Sequence, residues 1–501
     1  MLTDVGRILV KSLIDTNSQT RTHLQSRSKM AIVNGAIVAA VVSLIAIQYL
    51  SGNSSSFRPG TSNLTKQEQS EVSSTFNDSQ TVNSAQNKIV QKESVKLTAI
   101  FDGREDKAQW DKLVNAALER LEQRHPNLNF QIDYTLMGVY AKERAYMLNT
   151  LGNNTSVDLI SIDQIWLGEF VERGLLTDLG DRARSWGRSS EWYQASWDGG
   201  VYNGKVYAIW AWTDVRGIWY WKDLLEQADV NPDSLKTWDG YILSAKKLNA
   251  ALKDQGIQGV HLVGASHSPD MWYPYLWMLG GDILERKDGH PTKGNYWYPS
   301  FNSTEGVQAL QFLKDQVDAG INPQVSHDWG SEFANRSFAV MIEGSWLPGR
   351  FPLGDQKSLE QRVGFIPMFP VPNQSVQSTT LMGGWLFAVP ETSKNKDLAW
   401  ELLTTMLEPD ILTPIFSDYA LLPTQLPIGE GQYSGQMKQS VPYYEEMVSM
   451  LNIGHKRLAI PEYPQIATYI KTAIDQVYSG QKEPKEALDE AAQKSALLLG
   501  W

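Results

Sequence analysis

Trp166, Trp212, Trp272, Tyr273, Trp346 and Trp385 fall in stretches that read as loops or strand ends, among 18 tryptophans in the chain. Two of those stretches supply the charged partners considered for the rings: Asp163 precedes Trp166, and Asp214 and Arg216 follow Trp212. An indole face suits a flat apolar surface, while a carboxylate accepts from, and a guanidinium donates to, hydroxyls at its edge. A sugar ring presents that combination. Core packing is the competing role for any single tryptophan, and Trp110, Trp238 and Trp400 are assigned to it because they sit in helical stripes or at helix starts. Loop positions favour the binding role, since loops lie on the surface and carry function.

Other chemistries find little support. Cysteine is absent, which excludes disulfides, thiolate metal sites and cysteine nucleophiles together. The seven histidines are scattered without an H-E-x-x-H pair, and there is no G-x-S-x-G elbow. Residues 199–205 spell G-x-x-x-x-G-K, but Val206 stands where a hydroxyl would hold magnesium, and the flanking tyrosines suit a hairpin. Glu343, close to Trp346, is the most tempting acid; a solvated or turn-capping role is preferred because nothing nearby would tune its pKa. A carboxylate pair for glycoside hydrolysis stays open, as counting cannot exclude it in an acidic chain. No cofactor and no metal are expected.

Stepwise alternation of strands and helices positions these residues. Residues 95–101 read as a buried strand and 105–124 as an amphipathic helix with Trp110, Leu113, Ala117 and Leu121 inward. A second strand at 129–134, a helix at 140–151, a third strand at 157–162 and a helix ending near Gly174 follow. Such order implies a largely parallel sheet with helices on both faces, and ligands beyond the carboxyl ends of its strands. Around Gly204, residues 201–212 read as a hairpin; 218–221 is a buried strand and 222–228 opens a helix. Thr237 is an expected helix cap, as is Asn302 with Glu305 three residues on.

The first 94 residues differ from the rest. Residues 30–50 contain no charge and are long enough to cross a bilayer. No small-residue cleavage site follows, so a retained anchor is expected rather than a cleaved signal. Five basic residues precede the span against Asp4 and Asp15, which places residues 1–29 in the cytoplasm and the remainder outside, extracellular or periplasmic. Residues 51–94 are dominated by Ser, Thr, Asn and Gln and read as a disordered tether, reaching roughly 35–40 Å on average as a flexible coil. The net charge of −11 becomes more negative once the basic leader is set aside, arguing against nucleic acid as a partner.

From residue 95 onward, the motifs resemble the extracellular solute-binding proteins of carbohydrate ABC importers, of the maltose-binding type. Tyr202, Gly204, Lys205, Tyr207 and Ala208 match its G-x-Y-x-G-K-x-Y-A, and Tyr220, Lys222, Asp223 and Leu224 match the strand and helix that follow. Trp210 and Trp221 depart from it, standing where proline and asparagine are usual. Asp158, Asp163, Trp166, Phe170, Gly174, Leu175 and Leu179 fit a second segment, and Gly280-Gly281-Asp282, Gly344 with Trp346, and Gly383-Gly384-Trp385 fit others in the family's order. Arg336-Ser337 replaces the usual glycine of one turn.

The resemblance implies an α/β fold of two lobes, type II of the periplasmic-binding-protein class, each lobe a mixed sheet flanked by helices. Lobe one would take 95–213 and 371–410, and lobe two 214–370 and 411–501. It implies sugar capture by cleft closure without covalent chemistry, permease subunits as partners, and a monomer. Asp163, Gln164 and Trp166 would face the sugar from the loop after the third strand. Trp346 would stack on it, and Asp214 would accept its hydroxyls. Trp212, Arg216, Trp272, Tyr273 and Trp385 complete the candidate set. A tethered glycoside hydrolase and a sensory sugar-binding protein are the alternatives.

Overall fold

The computed structural model describes residues 92–103, 107–138, 140–263, 269–289, 296–324, 329–352 and 355–501. The chain divides into two units, Met1–Asn87 and Lys88–Trp501, and the described residues belong to the second. The expected anchor at 30–50 lies outside them, as does the expected tether up to residue 91. The tether ends earlier than expected, since Glu93 and Ser94 already pair as a strand with Leu128 and Asn129. Among the described residues no helix is long and apolar enough to cross a membrane.

The chain opens with β1 (Glu93–Asp102), β2 (Leu128–Met137) and β3 (Leu159–Asp163). All five residues of β3 are buried, as expected for a strand covered on both faces. β2 alternates in exposure along most of its length and closes one edge of the sheet. Between them, the helix Lys107–Arg124 buries Trp110, Leu113, Val114, Ala117 and Leu121, a spacing of three and four that keeps one face on the sheet. Phe101 stacks flat on Trp110, with centroids 4.2 Å apart.

The hairpin is shorter than the sequence suggests. It consists of β4 (Val201–Tyr202) and β5 (Lys205–Val206), joined at Asn203 and Gly204, both with positive φ, as a two-residue Asn-Gly turn requires. β6 (Ala208–Asp214) leaves the hairpin and joins the first sheet, and β7 (Arg216–Trp221) starts the second. Only Val215 separates them.

The second sheet continues with β8 (Gln258–Val263). A separate ribbon of β9 (Leu284–Arg286) and β10 (Trp297–Pro299) follows, and then β11 (Pro323–Gln324), β12 (Phe338–Gly344) and β13 (Val363–Ile366) return to the second sheet. Its order is β11-β8-β12-β7-β13. β14 (Thr380–Ala388) carries the chain back to the first sheet, with all nine residues buried. β15 (Leu422–Pro423) and β16 (Gly454–Lys456) also join that sheet, whose order is β15-β6-β14-β3-β1-β2 with β16 beside β14. The strands of the C-terminal part, β15 and β16, thus pair with the first sheet.

Hydrogen bonds lace the crossings together. Thr380 Oγ1 accepts from the Arg216 amide and donates to the Arg216 carbonyl, both at 2.9 Å. The Trp238 amide donates to the Val371 carbonyl at 2.8 Å. Thr237 caps its helix as expected, whereas Ser303, not Asn302, caps the helix Thr304–Asp318. Asn302 instead donates to Asp489 at 2.7 Å.

Candidate functional site

The site is built on Gly383 and Gly384. On one side of β14, β6 runs antiparallel and ends with Asp214 opposite Gly383. On the other side two strands share one slot from opposite ends. β3 arrives antiparallel and stops with Asp163 opposite Trp385. β16 arrives parallel and stops with Lys456 opposite Met382. Asp163 and Arg457, the next residue after β16, are therefore driven head-on towards each other, and Arg457 Nη2 lies 3.4 Å from Asp163 Oδ1.

Glycine is what admits the third charge. A Cβ on Gly383 would sit 2.7 Å from Asp214 Oδ2, too close for any side chain. Gly384 has φ +142, and a Cβ there would lie 2.3 Å from the Trp212 carbonyl oxygen. Both strain and contact select glycine.

From the second sheet come Arg216, first residue of β7, and Asp270, in the short helical turn Pro269–Met271 that follows β8. Arg216 Nη1 donates to Asp214 Oδ1 at 2.9 Å, and its Nη2 lies 3.8 Å from Asp270 Oδ2. Arg457 Nη1 donates to the same Asp270 oxygen at 2.9 Å. Three carboxylates and two guanidiniums thus form one chain of contacts, Asp163–Arg457–Asp270–Arg216–Asp214. Arg216 is 7% exposed and Arg457 4%, so little water screens these pairs.

Aromatic rings border the network. Gly344 lies opposite Arg216 in the β12–β7 register. The Trp346 ring folds back over Gly344, where a Cβ would sit 2.1 Å from its edge. That places the Arg216 guanidinium 5.2 Å from the ring centroid, within cation–π range. Trp166 meets Trp385 edge-on at 5.8 Å. Tyr273 and Tyr463 share a hydrogen bond between hydroxyls at 3.0 Å; burial pushes both phenols well above their ordinary pKa, so each stays protonated.

The candidate residues thus separate into groups. Asp163, Asp214 and Arg216 join the charged network, and Trp346 lies against it. Trp166 and Trp385 pair with each other next to Asp163. Trp272 packs on Tyr273 at 6.0 Å and is 1% exposed. Trp212 is placed differently: it packs on Trp110 at 5.6 Å and Phe387 at 5.7 Å, inside the first sheet's core. A bulge accounts for this. Trp385 pairs with Trp212 and its neighbour Leu386 with Trp210, skipping Ala211, so the two tryptophans point to opposite faces despite their spacing of two.

Glu343 is buried, and its carboxylate accepts from the Gly344 amide at 3.0 Å, the turn-capping arrangement. Among the described residues no group of three or more His, Cys, Asp or Glu could hold a metal ion. Gln164 Oε1, Arg216 Nε and Trp272 Nε1 are buried without a hydrogen-bond partner. They come from the turn after β3, from β7 and from the segment after β8.

Sequence reasoning missed Asp270, Arg457 and Tyr463. Asp270 was within reach: it precedes Trp272 much as Asp163 precedes Trp166. Arg457 and Tyr463 carry no local signal.

A match to the bacterial extracellular solute-binding protein family covers residues 102–411, and these hold both crossings and four of the five network charges. The chain belongs to that family. A binding protein of Brucella abortus is 25% identical over 356 residues, 69% of this chain and 80% of its own length. An arabinooligosaccharide-binding protein of Bacillus subtilis is 22% identical over 308 residues, 58% of this chain and 67% of its own. Among solved structures, an ABC transporter solute-binding protein of Thermotoga lettingae, bound with α-D-tagatose, superposes with a TM-score of 0.68. It is 22% identical, covering 81% of this chain and 100% of that one. The two-lobe α/β fold of periplasmic binding proteins is therefore the fold of this family member.

Proposed function

We propose that this protein is the capture component of a carbohydrate ABC importer, taking up a sugar or oligosaccharide outside the membrane by closing its lobes and leaving it chemically intact. The carrying observation is the trio Gln164 Oε1, Arg216 Nε and Trp272 Nε1. Each is a buried polar atom with an unmet hydrogen bond, an arrangement that costs about 1–3 kcal/mol per group unless something supplies the partner. They come from both sheets: Arg216 lies over the Trp346 ring, Gln164 is in the turn that carries Trp166, and Trp272 packs on Tyr273. Sugar hydroxyls would meet the polar atoms, and a sugar C–H face would lie on the partly exposed ring of Trp346. Contacts from both lobes are what bias the protein towards closure, since only differential contact shifts a conformational equilibrium.

Family membership supports transfer to permease subunits, with the protein acting as a monomer. The uncharged span at 30–50 supports anchoring by one N-terminal helix, with the polar tether that ends ahead of β1 holding the lobes outside. Lobe one takes 95–213 and 371–410 with the strands β15 and β16; lobe two takes 214–370 and most of the remainder. Calorimetric titration with mono-, di- and oligosaccharides tests the capture reading, followed by chromatography of the sugar after prolonged incubation. Binding with the sugar unchanged is expected. Shortened products would move the protein to the hydrolase class, and no heat with any sugar would remove carbohydrate as the ligand.

A further inference from the structure

We infer that Asp270 and Arg457 are positioning residues that latch the two lobes together, so that closure has a component built into the protein itself. This inference rests on the sugar-capture reading for its purpose but not for its geometry. Asp270 Oδ2 receives one guanidinium from each sheet. Arg457 follows β16, a strand of the first sheet, and approaches to 2.9 Å; Arg216 opens β7, a strand of the second, and approaches to 3.8 Å. Arg457 is in turn held at 3.4 Å by Asp163 of the first sheet. One carboxylate from the β8 side thus pins the tip of the opposite sheet.

Burial makes this contact count. A pair between exposed side chains contributes little, but Arg457 is 4% exposed and Asp270 9%. Without the Asp270 charge the network falls into two balanced pairs, Asp163–Arg457 and Asp214–Arg216, and the charged link from the β8 side to Arg457 is lost. Each pair keeps its partner, so losing that link loosens the two lobes from one another rather than unfolding them. The hydroxyl contact Tyr273–Tyr463 at 3.0 Å joins the same neighbourhood, between the helix after Asp270 and the helix after Arg457.

The absence of cysteine provides a clean readout. Cysteines introduced at exposed Asn153 and Lys246 can be spin-labelled in the full chain, and the distance between the labels measured by pulsed electron resonance without any sugar. Asp270→Asn is expected to lower the closed population about tenfold or more, and Asp270→Glu to restore part of it. Should Asp270→Asn fail to fold, Arg457→Lys serves instead. It keeps the charge but cannot hold two carboxylates at once, and is expected to broaden the distances towards the open form. Unchanged sugar-free distances in a folded variant would overturn the latch. So would a variant that loses sugar affinity with unchanged distances, because Asp270 would then be a ligand contact. Because the distances are read without sugar, a protein that binds none would end the capture reading and leave the latch standing or falling on its own result.

Discussion

Two glycine–tryptophan segments lie in different sheets of this molecule, and they use glycine for different purposes. In the first sheet, Gly383-Gly384-Trp385 lies inside β14, with strands on both sides. Gly383 makes room for a carboxylate from the neighbouring strand, and Trp385 is sealed to 3% exposure. In the second sheet, Gly344 is the last residue of β12 and makes room for the ring of Trp346, two residues along its own chain. Trp346 remains partly exposed, with Arg216 over its face. Similar residues thus yield a sealed ring in one sheet and a partly exposed ring in the other. What separates them is whether the strand continues past the glycine.

The largest test of that contrast is Trp385→Ala. Emptying a sealed aromatic site should cost about 3–5 kcal/mol, read as a lower urea midpoint. A loss below about 1 kcal/mol would mean that Trp385 is a platform like Trp346. Gly384→Ala comes next, at about 3 kcal/mol, because its Cβ meets the Trp212 backbone and its φ is strained. The matching Gly344→Ala meets only the end of a side chain, which can swing away, so it should cost less stability and more affinity. Equal urea midpoints for the two alanine variants would break the comparison.

Trp346→Ala should lower sugar affinity about thirtyfold, or about 2 kcal/mol, with the melting temperature of the sugar-free protein nearly unchanged. Normal binding with early melting would assign the ring to the core. Asp214→Asn removes one charge of the Arg216 pair, whose carboxylate side chain is 17% exposed. About 1.5 kcal/mol of stability should go, and calorimetry on the same variant separates the roles: unchanged affinity would leave Asp214 a turn-shaping residue only.

The smallest effect is on pH. His455 on β16 has an exposed edge but lies flat over Trp277 at 5.1 Å, and the partial desolvation of that covered face holds its pKa below the ordinary 6.5. The unfolded chain therefore takes up that proton first. Stability from the neutral ring is present above 6.5 and lost as pH falls below it. His455→Gln should flatten that part of the acid limb of melting temperature against pH; an unaltered profile would show that the ring does not titrate with folding.

The sequence by itself determined the elements and much of the inventory of the site. Buried runs gave β1, β3 and β7, the three-and-four spacing gave the helix Lys107–Arg124, and aromatic residues beside charges pointed to Asp163, Trp166, Asp214 and Arg216. Those signals are local, because periodicity and neighbouring residue types survive in one dimension. Tertiary structure decided which of them meet. Trp212 and Trp210 look equivalent at a spacing of two, until a bulge set by pairing with β14 turns them to opposite faces. Arg457 lies 294 positions from Asp163, and only the sharing of one slot beside β14 brings them together. Register between distant strands is fixed by packing over the whole sheet, which no short stretch of sequence encodes.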